Sequence, residues 1–332
     1  MPFSLIIEGY PTEHVPPSHV QGPTLQGMFL HLLKEVDPAV AAHLHDDRRY
    51  RPYTLSPLGI GKSTPSYPPQ GGNTQSQEGK KPTPHPSQGE DTPPYPPQGG
   101  TPFRGFQLPR DRVLRRGTPC CVRVTLLEDD LFPTFSRYFL NRVEPSFRLG
   151  DTDFTVTNVL ATQESGNPWS RYVSYGDLID SQENPPLAPP RRGMQAGRPR
   201  SQERRITLRF VTPTSFSKGD VDLPLPLPRL VFQSYLKRFQ EFHAFEFLPD
   251  FVELVDLHTG ISRMERMRTD TIKTKKVTLT GFTGEVTFEL SKKAPPELVF
   301  QMNLLADFAF FCGTGKKTTM GMGQTVRMQN AK

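Results

Sequence analysis

The stretch that decides the fold is PELVFQMNLLADFAFFCGTGKKTTMGMG, which runs from Pro296 to Gly323. Its first seventeen residues are mostly apolar and predict a helix that ends at Cys312. Four glycines follow, and glycine adopts positive φ and lets one backbone approach another closely. Successive exposed N–H groups beside lysines suit a phosphate backbone. The segment therefore predicts a clamp on a polyanion.

The glycine-rich loop is defined here as residues 313–323. A nucleotide-binding P-loop needs a glycine, four residues and then Gly-Lys-Ser/Thr. In this chain Phe310 occupies the first glycine position and Lys317 follows Gly315-Lys316, so the loop does not fit that motif. A simple turn with Gly313 as helix C-cap would account for one glycine but not for four.

Composition places few limits on function. The chain has 332 residues and a net charge of +6, which is compatible with a nucleic-acid partner and equally with a moderately basic protein. The three cysteines, Cys120, Cys121 and Cys312, give neither a disulfide framework nor a CxxC metal pair, so we expect reduced thiols in a cytoplasmic protein. We find no membrane-spanning run and no basic signal-peptide start.

Two proline-rich stretches interrupt the chain, at about residues 62–102 and 182–202. The first contains the near-copies TPSYPPQGG (64–72) and TPPYPPQGG (92–100). Such sequence buries too little apolar surface to offset its ordering entropy, so we predict disordered inserts within the fold. A proline-rich ligand for another module is the alternative. We expect neither insert to affect activity.

With the inserts set aside, two halves of alternating strands and helices remain. The first half has an amphipathic helix with Leu25, Met28, Phe29, Leu32 and Leu33 on one face. The other predicted elements of this half are a strand at Phe3–Glu8, a helix at Asp37–Leu44 with Asp37 as N-cap, a strand at Val122–Leu127, a helix at Leu131–Leu140 and a strand at Phe154–Val159.

The second half repeats this order. Its predicted elements are strands at Ile206–Phe210, Lys273–Thr280, Glu285–Leu290 and Thr325–Met328 and helices at Arg229–Phe247 and 296–312. Both halves fit the split β-α-β arrangement, so the expected fold class is α+β with two tandem ferredoxin-like domains. We place the domains at residues 1–165 and 205–332, joined by a segment at 166–204.

Four groups of segments carry a family resemblance in order along the chain. They are Leu25–Phe29 with Ala41–His45 and Arg51–Pro57, Phe210–Phe216 with Pro226–Phe232, Thr280–Val286, and the glycine-rich loop. The sequence resembles the Cas-six family of CRISPR-associated endoribonucleases, members of the RAMP superfamily that cut precursor CRISPR RNA within its repeats. The resemblance implies RAMP/RRM-like ferredoxin domains, RNA as the substrate, and no cofactor.

Metal-independent cleavage of RNA uses the 2′-hydroxyl as nucleophile and leaves a 2′,3′-cyclic phosphate and a 5′-hydroxyl. It needs a base at that hydroxyl, cations on the developing phosphorane charge and an acid for the 5′-oxygen. The adjacent pairs Asp46-Asp47 and Asp129-Asp130 lack metal-ligand spacing. We therefore expect a catalytic histidine and no metal.

The resemblance places the catalytic histidine at His45, with His43 as the runner-up. Arg51 stands where members often carry a lysine, and arginine can stabilise phosphate charge but cannot donate a proton at ordinary pH. Leu30 stands where some members have a tyrosine. Neighbouring side chains that could supply the missing group are His31, Tyr50 and Tyr53.

RNA binding is assigned to the glycine-rich loop through its backbone N–H groups at Gly313, Gly315, Gly321 and Gly323 and through Lys316 and Lys317. A second basic segment, residues 263–276, contains Arg268, Lys273 and Lys275, and its alternative interpretation is a solvated hairpin. Trp169 is expected to pack at a domain junction.

The partners implied by the resemblance are CRISPR repeat RNA, a CRISPR effector complex and a second copy of the chain. The alternative function is a noncatalytic RAMP subunit that binds CRISPR RNA in an effector complex. Leu30 at the tyrosine position keeps that alternative open.

Overall fold

The computed structural model describes residues 1–20, 22–45, 50–60, 113–162, 165, 167–183, 203–273 and 278–328. The first predicted insert lies outside these residues. The second lies outside them from residue 184 onward; before that, the chain is helical through Glu183. Within this helix Gln182 is buried and its amide donates to Asp307 Oδ2 at 2.8 Å.

In its described residues, the first half contains one antiparallel sheet and four α-helices. Its elements are β1 (Phe3–Pro11), α1 (Gly22–Val36), α2 (Pro38–His45), β2 (Tyr53–Leu55), β3 (Gly59–Ile60), β4 (Cys120–Leu126), α3 (Leu131–Leu140), β5 (Ser146–Leu149), β6 (Thr152–Leu160), β7 (Arg171–Tyr172) and α4 (Tyr175–Glu183). The sheet order is β2-β4-β1-β6-β5.

The part of the second half that the structure describes contains a four-stranded antiparallel sheet, a small hairpin and three α-helices. Its elements are β8 (Arg205–Thr214), β9 (Phe216–Lys218), β10 (Val221–Leu223), α5 (Pro228–Phe242), α6 (Phe251–His258), β11 (Thr259–Lys273), β12 (Thr278–Leu290), α7 (Pro296–Cys312) and β13 (Thr325–Arg327). The sheet order is β11-β12-β8-β13.

Both sheets have the strand order of a ferredoxin-like fold. In the first sheet, β1, β2, β4 and β6 correspond to strands 1, 2, 3 and 4 of a ferredoxin-like domain. Across the sheet these strands lie in the order 4-1-3-2. The second sheet has the same order, with β8 as first strand and β13 as fourth. The predicted α+β class with tandem ferredoxin-like domains is therefore confirmed.

The residues that flank segment 61–112 are paired with other residues of the first half. Ile60 on β3 lies opposite Cys120 on β4, and Val15 forms an isolated antiparallel bridge with Leu114. The residues on either side of the undescribed segment 61–112 are thus tied to the same framework.

Both faces of β4 are buried. All seven residues of β4 are buried, although the sequence alternates apolar and polar side chains. Val122 and Val124 pack in the core formed with α1, whereas the Thr125 hydroxyl donates to the Phe311 carbonyl of α7 at 2.7 Å. The polar face of β4 is therefore the surface on which α7 packs, and α7 is almost wholly buried.

Arg123 of β4 joins the two halves. Its guanidinium donates to Ser4 Oγ at 2.8 Å, to the Phe310 carbonyl at 2.6 Å and to Gln324 Oε1 at 2.5 Å. Gln324 in turn donates through Nε2 to the Leu55 carbonyl at 3.0 Å. Burial lowers the pKa of Arg123 well below its ordinary value. A buried cation is thus held almost entirely by neutral acceptors from both halves.

Trp169 packs at the same junction. Its ring is 4% exposed, stacks on Phe310 with centroids 5.5 Å apart, and receives the Arg123 guanidinium 4.8 Å from its centroid. The prediction that Trp169 is a packing residue is confirmed.

Two predicted elements of the second half have different bounds in the structure. The helix from Arg229 ends at Phe242 and not at Phe247, because His243 is extended and Phe247 folds back onto Phe239 at 5.6 Å. The predicted strand Lys273–Thr280 is divided between the last residue of β11 and the first three residues of β12, and residues 274–277 lie outside the described part of the chain. β11 escaped prediction because it is an edge strand whose exposed residues show no alternation, and α6 was not foreseen.

The three cysteines are free and buried, and Cys120 and Cys121 face different cores as expected for adjacent strand residues. Burial raises the pKa of each thiol to about 12. Because the thiolate is the reactive form, we predict that the native protein will not react with an aromatic disulfide reagent at pH 8. The denatured protein will react at three thiols per chain, and fast native labelling would contradict this burial.

Candidate nucleic-acid interface

A cleft of about 630 Å³ opens where the two halves meet. Its first-half wall contains Gln26 of α1 and the Tyr50-Arg51 segment that precedes β2. Its other walls are β9, one face of α5 and the glycine-rich loop. The cleft thus brings the segment that follows α2 together with the glycine-rich loop. In the sequence, only the family resemblance assigned both segments to one site.

Hydrogen bonds fix α2 at both of its ends. Asp37 caps the start of the helix, with Oδ1 accepting from the N–H groups of Ala39 and Val40 at 3.0 and 3.1 Å. At the other end the Arg51 guanidinium donates to the carbonyl of Leu44. His45 is the last residue of α2, and His43 is exposed two residues earlier.

The glycine-rich loop depends on its glycines for contact with its own protein. Gly313, Gly315, Gly321 and Gly323 have φ of 64°, 73°, 90° and 72°. A Cβ at Gly315 would lie 2.2 Å from the carbonyl oxygen of Ser215, and one at Gly323 would lie 2.1 Å from that of Thr314. The predicted close approach exists, but the neighbouring backbone belongs to this chain.

Several N–H groups of the loop are used internally. The N–H of Lys316 donates to Ser215 O at 2.9 Å, that of Thr314 to Gly323 O at 2.8 Å, and that of Gly323 to Pro213 O at 3.0 Å. The loop continues into a short 3-10 helix at Thr318–Met320, whose first turn has N–H groups without acceptors inside that helix. The N–H of Gly313 donates to Ala309 O at 3.0 Å and that of Gly315 to Ser234 Oγ at 3.4 Å, so three of the four predicted glycine N–H groups are used within the chain.

The two loop lysines differ. Lys316 is half-buried and its ammonium is paired with Asp222 of β10. Lys317 is exposed and adopts φ of 56°, an uncommon angle for a residue with a side chain. Of the two, Lys317 is the cation that the described residues leave facing solvent at the cleft.

Arg238 is a cleft residue that the sequence analysis missed. It is 7% exposed, and its guanidinium donates to Gly313 O at 3.2 Å and to the carbonyl of Gly315. Arg238 therefore holds the loop in place from α5. Gln233, Ser234 and Lys237 also line the cleft. The i, i+4 pairs 233/237 and 234/238 put these polar side chains on one helix face, and that spacing was the signal available in the sequence.

The described part of the predicted basic segment 263–276 lies on β11, outside the lining of the cleft. Arg268 is exposed on β11 opposite Thr283, and the neighbouring Phe282 lies opposite Thr214 at the end of β8. Two strand spacings place Arg268 roughly 10 Å from the end of β8. Lys273 is the last residue of β11, and Lys275 lies outside the described residues.

The side chains that could replace the family's tyrosine, which is Leu30 here, differ in burial and in position. Leu30 packs against the first-half core, and His31 is exposed and lies 3.0 Å from Glu35. Tyr53 is fully buried, so its hydroxyl cannot contact a substrate directly. Tyr50 lines the cleft.

In the described part of the chain, we find no group of three acidic, histidine or cysteine side chains placed to hold a metal ion. No described helix combines the length and apolarity needed to cross a membrane.

We predict that Gly315→Ala will lower the free energy of unfolding by about 2–3 kcal/mol, because positive φ costs about 1 kcal/mol and the added methyl group forces the loop away from Ser215. Gly117→Ala is the matched control, since Gly117 has φ of 71° and nothing lies within 4 Å of the place that its Cβ would occupy. It should cost only about 1 kcal/mol. Equal losses in urea unfolding would show that the close approach is unimportant.

Comparison with known proteins follows this geometry. The family model described as the CRISPR Cas6 N-terminal domain matches residues 1–84 and 101–180, and the model described as CRISPR-associated endoribonuclease Cas6 matches residues 208–325. A CRISPR-associated endoribonuclease Cas6 of Streptococcus thermophilus is 27% identical over 116 residues, which are 34% of this chain and 46% of the relative. The match thus spans about half the length of that relative.

Solved structures are similar over the whole chain. A Cas6 product complex is 25% identical with a TM-score of 0.69, covering 99% of this chain and 100% of that chain. Thermus thermophilus Cas6 is 25% identical with a TM-score of 0.59, covering 99% and 98%. A RAMP protein binding different RNA substrates, at 12% identity and a TM-score of 0.52, is alike in fold. Since the two family models together account for most of the sequence, the chain belongs to the Cas6 family.

Proposed function

We propose that this protein is a metal-independent endoribonuclease that cuts precursor CRISPR RNA within its repeats. Family membership supports RNA as the substrate. The observation that carries the proposal is the cleft, because it places the segment after α2 beside the glycine-rich loop and the cations of α5. A bound RNA strand could meet His45, Arg51 and Lys317 at one phosphate.

The proposed reaction is an internal transesterification. His45 accepts the proton of the 2′-hydroxyl, whose oxygen attacks the adjacent phosphorus. The bond from phosphorus to the 5′-oxygen breaks, this oxygen takes up a proton from solvent, and His45 returns its proton to solvent. The products are a 2′,3′-cyclic phosphate and a 5′-hydroxyl. Cations at the cleft stabilise the negative charge that develops on the phosphorane.

Recognition is proposed to divide between two surfaces. Phosphate contacts at Lys317 and at the exposed basic residues of β11 would position the RNA, whereas the shape of the repeat and its unpaired bases would give sequence preference. Lys316 can join these contacts only after leaving Asp222, so we assign it a smaller part.

The test is cleavage of a cognate CRISPR-repeat RNA in excess EDTA. We expect cutting at one position at an undiminished rate, and no cutting when the nucleotide before the scissile bond lacks its 2′-hydroxyl. Analysis of the ends should find the cyclic phosphate on the upstream fragment. Loss of cleavage in EDTA with recovery on adding Mg²⁺ would refute metal independence, and cutting of the deoxy substrate would refute the nucleophile.

The second candidate is a noncatalytic RAMP subunit that binds CRISPR RNA in an effector complex. The observation in its favour is that Leu30, at the position of the family's tyrosine, is packed against the core. Tight binding of the repeat RNA without any cleavage, with or without metal, would select this candidate.

A further inference from the structure

Lys316 of the glycine-rich loop forms an ion pair with Asp222 of β10. The two side chains are 22% and 28% exposed, so the pair is in contact with solvent. Lys316 lines the cleft, and Asp222 lies opposite Ser217, a lining residue of β9, in the β9-β10 hairpin. A carboxylate of this chain is therefore held against a cation of the candidate RNA site.

The charge of the cleft contrasts with this carboxylate. Among the described residues that line the cleft, none carries a carboxylate, and five are cations: Arg51, Lys237, Arg238, Lys316 and Lys317. A phosphodiester, like a carboxylate, presents anionic oxygens that accept charge-assisted hydrogen bonds from an ammonium. Asp222 thus supplies, from the edge of the cleft, the kind of negative charge that an RNA phosphate would bring.

Exchange of one anion for the other requires little movement of the loop backbone. The N–H of Lys316 donates to Ser215 O at 2.9 Å, and that of Gly315 to Ser234 Oγ at 3.4 Å, so this part of the loop is held by the second half. The lysine ammonium sits on a flexible four-carbon stem and can turn away from Asp222 while these backbone bonds stay in place. Partly exposed ion pairs contribute a factor of only about 1.5 to 5 to an equilibrium constant, so a phosphate can displace the carboxylate.

We propose that the Asp222 carboxylate occupies, in the RNA-free protein, the place that an RNA phosphate takes beside Lys316 on binding. Identification of this anion as RNA rests on the proposed function. Because the carboxylate competes with the phosphate, it lowers the affinity of the protein for RNA. The same competition speeds the release of bound RNA, since Asp222 pairs again with the ammonium that a departing phosphate leaves.

The test measures dissociation constants for a repeat RNA that lacks the 2′-hydroxyl at the scissile position, so that binding is followed without cleavage. We expect Asp222→Asn to bind this RNA about 3- to 5-fold more tightly, with most of the gain in a slower dissociation rate. Asp222→Glu, which keeps the charge, should stay within about 1.5-fold of wild type. Asp222→Ser should repeat the gain, which would tie it to loss of the carboxylate and not to one particular replacement.

Asp220→Asn is the matched control. Asp220 lies exposed in the turn of the same hairpin, and its substitution removes the same charge. Because only screened, longer-range repulsion is lost there, the affinity for RNA should change by less than about 1.5-fold.

The Lys316→Met background identifies the group for which Asp222 and the RNA compete. In that background Asp222→Asn should tighten binding by less than about 1.5-fold, since no ammonium remains to be released. Equal gains in both backgrounds, an equal gain in Asp220→Asn, or no gain in Asp222→Asn and Asp222→Ser would overturn the proposal.

These binding measurements separate this proposal from the proposed function. A protein that binds repeat RNA without cutting it would refute the endoribonuclease, and comparison of the variants would still decide the role of Asp222. A wild-type protein and an Asp222→Asn variant that both fail to bind repeat RNA would overturn the two proposals together.

Discussion

The His45→Ala variant is expected to cleave repeat RNA at least about 100-fold more slowly than wild type while binding it with similar affinity. Positioned general base catalysis contributes factors of this size, and the other groups proposed at the cleft are not proton acceptors near neutral pH. The measurement is a single-turnover time course with saturating protein, combined with an RNA-binding titration on a substrate deoxy at the scissile position.

His43→Ala is the control for this prediction. His43 lies two residues earlier on the same helix and is exposed, and residues two apart on a helix do not share a face. We expect its cleavage rate to stay within about twofold of wild type. A reversal of the two results would move the catalytic role to His43. Full activity in both variants would remove histidine catalysis at α2 from the mechanism.

The Gln324→Leu variant is expected to lose about 3–5 kcal/mol of unfolding free energy. The substitution leaves the buried Arg123 cation without one acceptor and leaves the carbonyl of Leu55 without its donor. Unsatisfied buried groups cost about 1–3 kcal/mol each, and more when charged. Equilibrium unfolding in urea gives the value, and Gln240→Leu on the exposed side of α5 should change it by less than about 0.5 kcal/mol.

The double variant Arg123→Met/Gln324→Leu makes this prediction sharper. Removing the charge together with its acceptor replaces a polar cluster by apolar side chains of similar size, which is often close to neutral. We therefore expect the double variant to be more stable than Gln324→Leu alone. A double variant that loses the sum of both single effects would show that Arg123 contributes chiefly by filling space.

The sequence predicted the helices and strands whose apolar side chains recur with a regular helical or strand spacing. α1, α3 and α7 appear within a few residues of their predicted bounds, since apolar spacing and a proline or glycine mark them. β11 and α6 were missed because edge strands and short helices carry little periodic signal. The burial of Arg123 and Thr125 could not be predicted, because it depends on α7 packing against the sheet from the other half.

The family resemblance predicted residues for the candidate site but not the contacts between them. The resemblance selected α2, Arg51 and the glycine-rich loop, and the structure places Arg51 and the loop on one cleft. The pairing of Lys316 with Asp222 joins residues ninety-four positions apart, which no local pattern indicates. The bond between Gln26 and Tyr53 likewise depends on how two separate elements meet.

The paired residues on either side of segment 61–112 affect how the gene can change. Ile60 and Cys120 are held opposite each other in the sheet, and Val15 holds Leu114 nearby. The free energy of closing the chain between such fixed ends grows only with the logarithm of its length, about 0.6 kcal/mol for each doubling. For the insert predicted to be disordered, we therefore expect selection for folding to act only weakly on the number of PPQGG copies, and we expect a fluorescent or affinity module to be tolerated there.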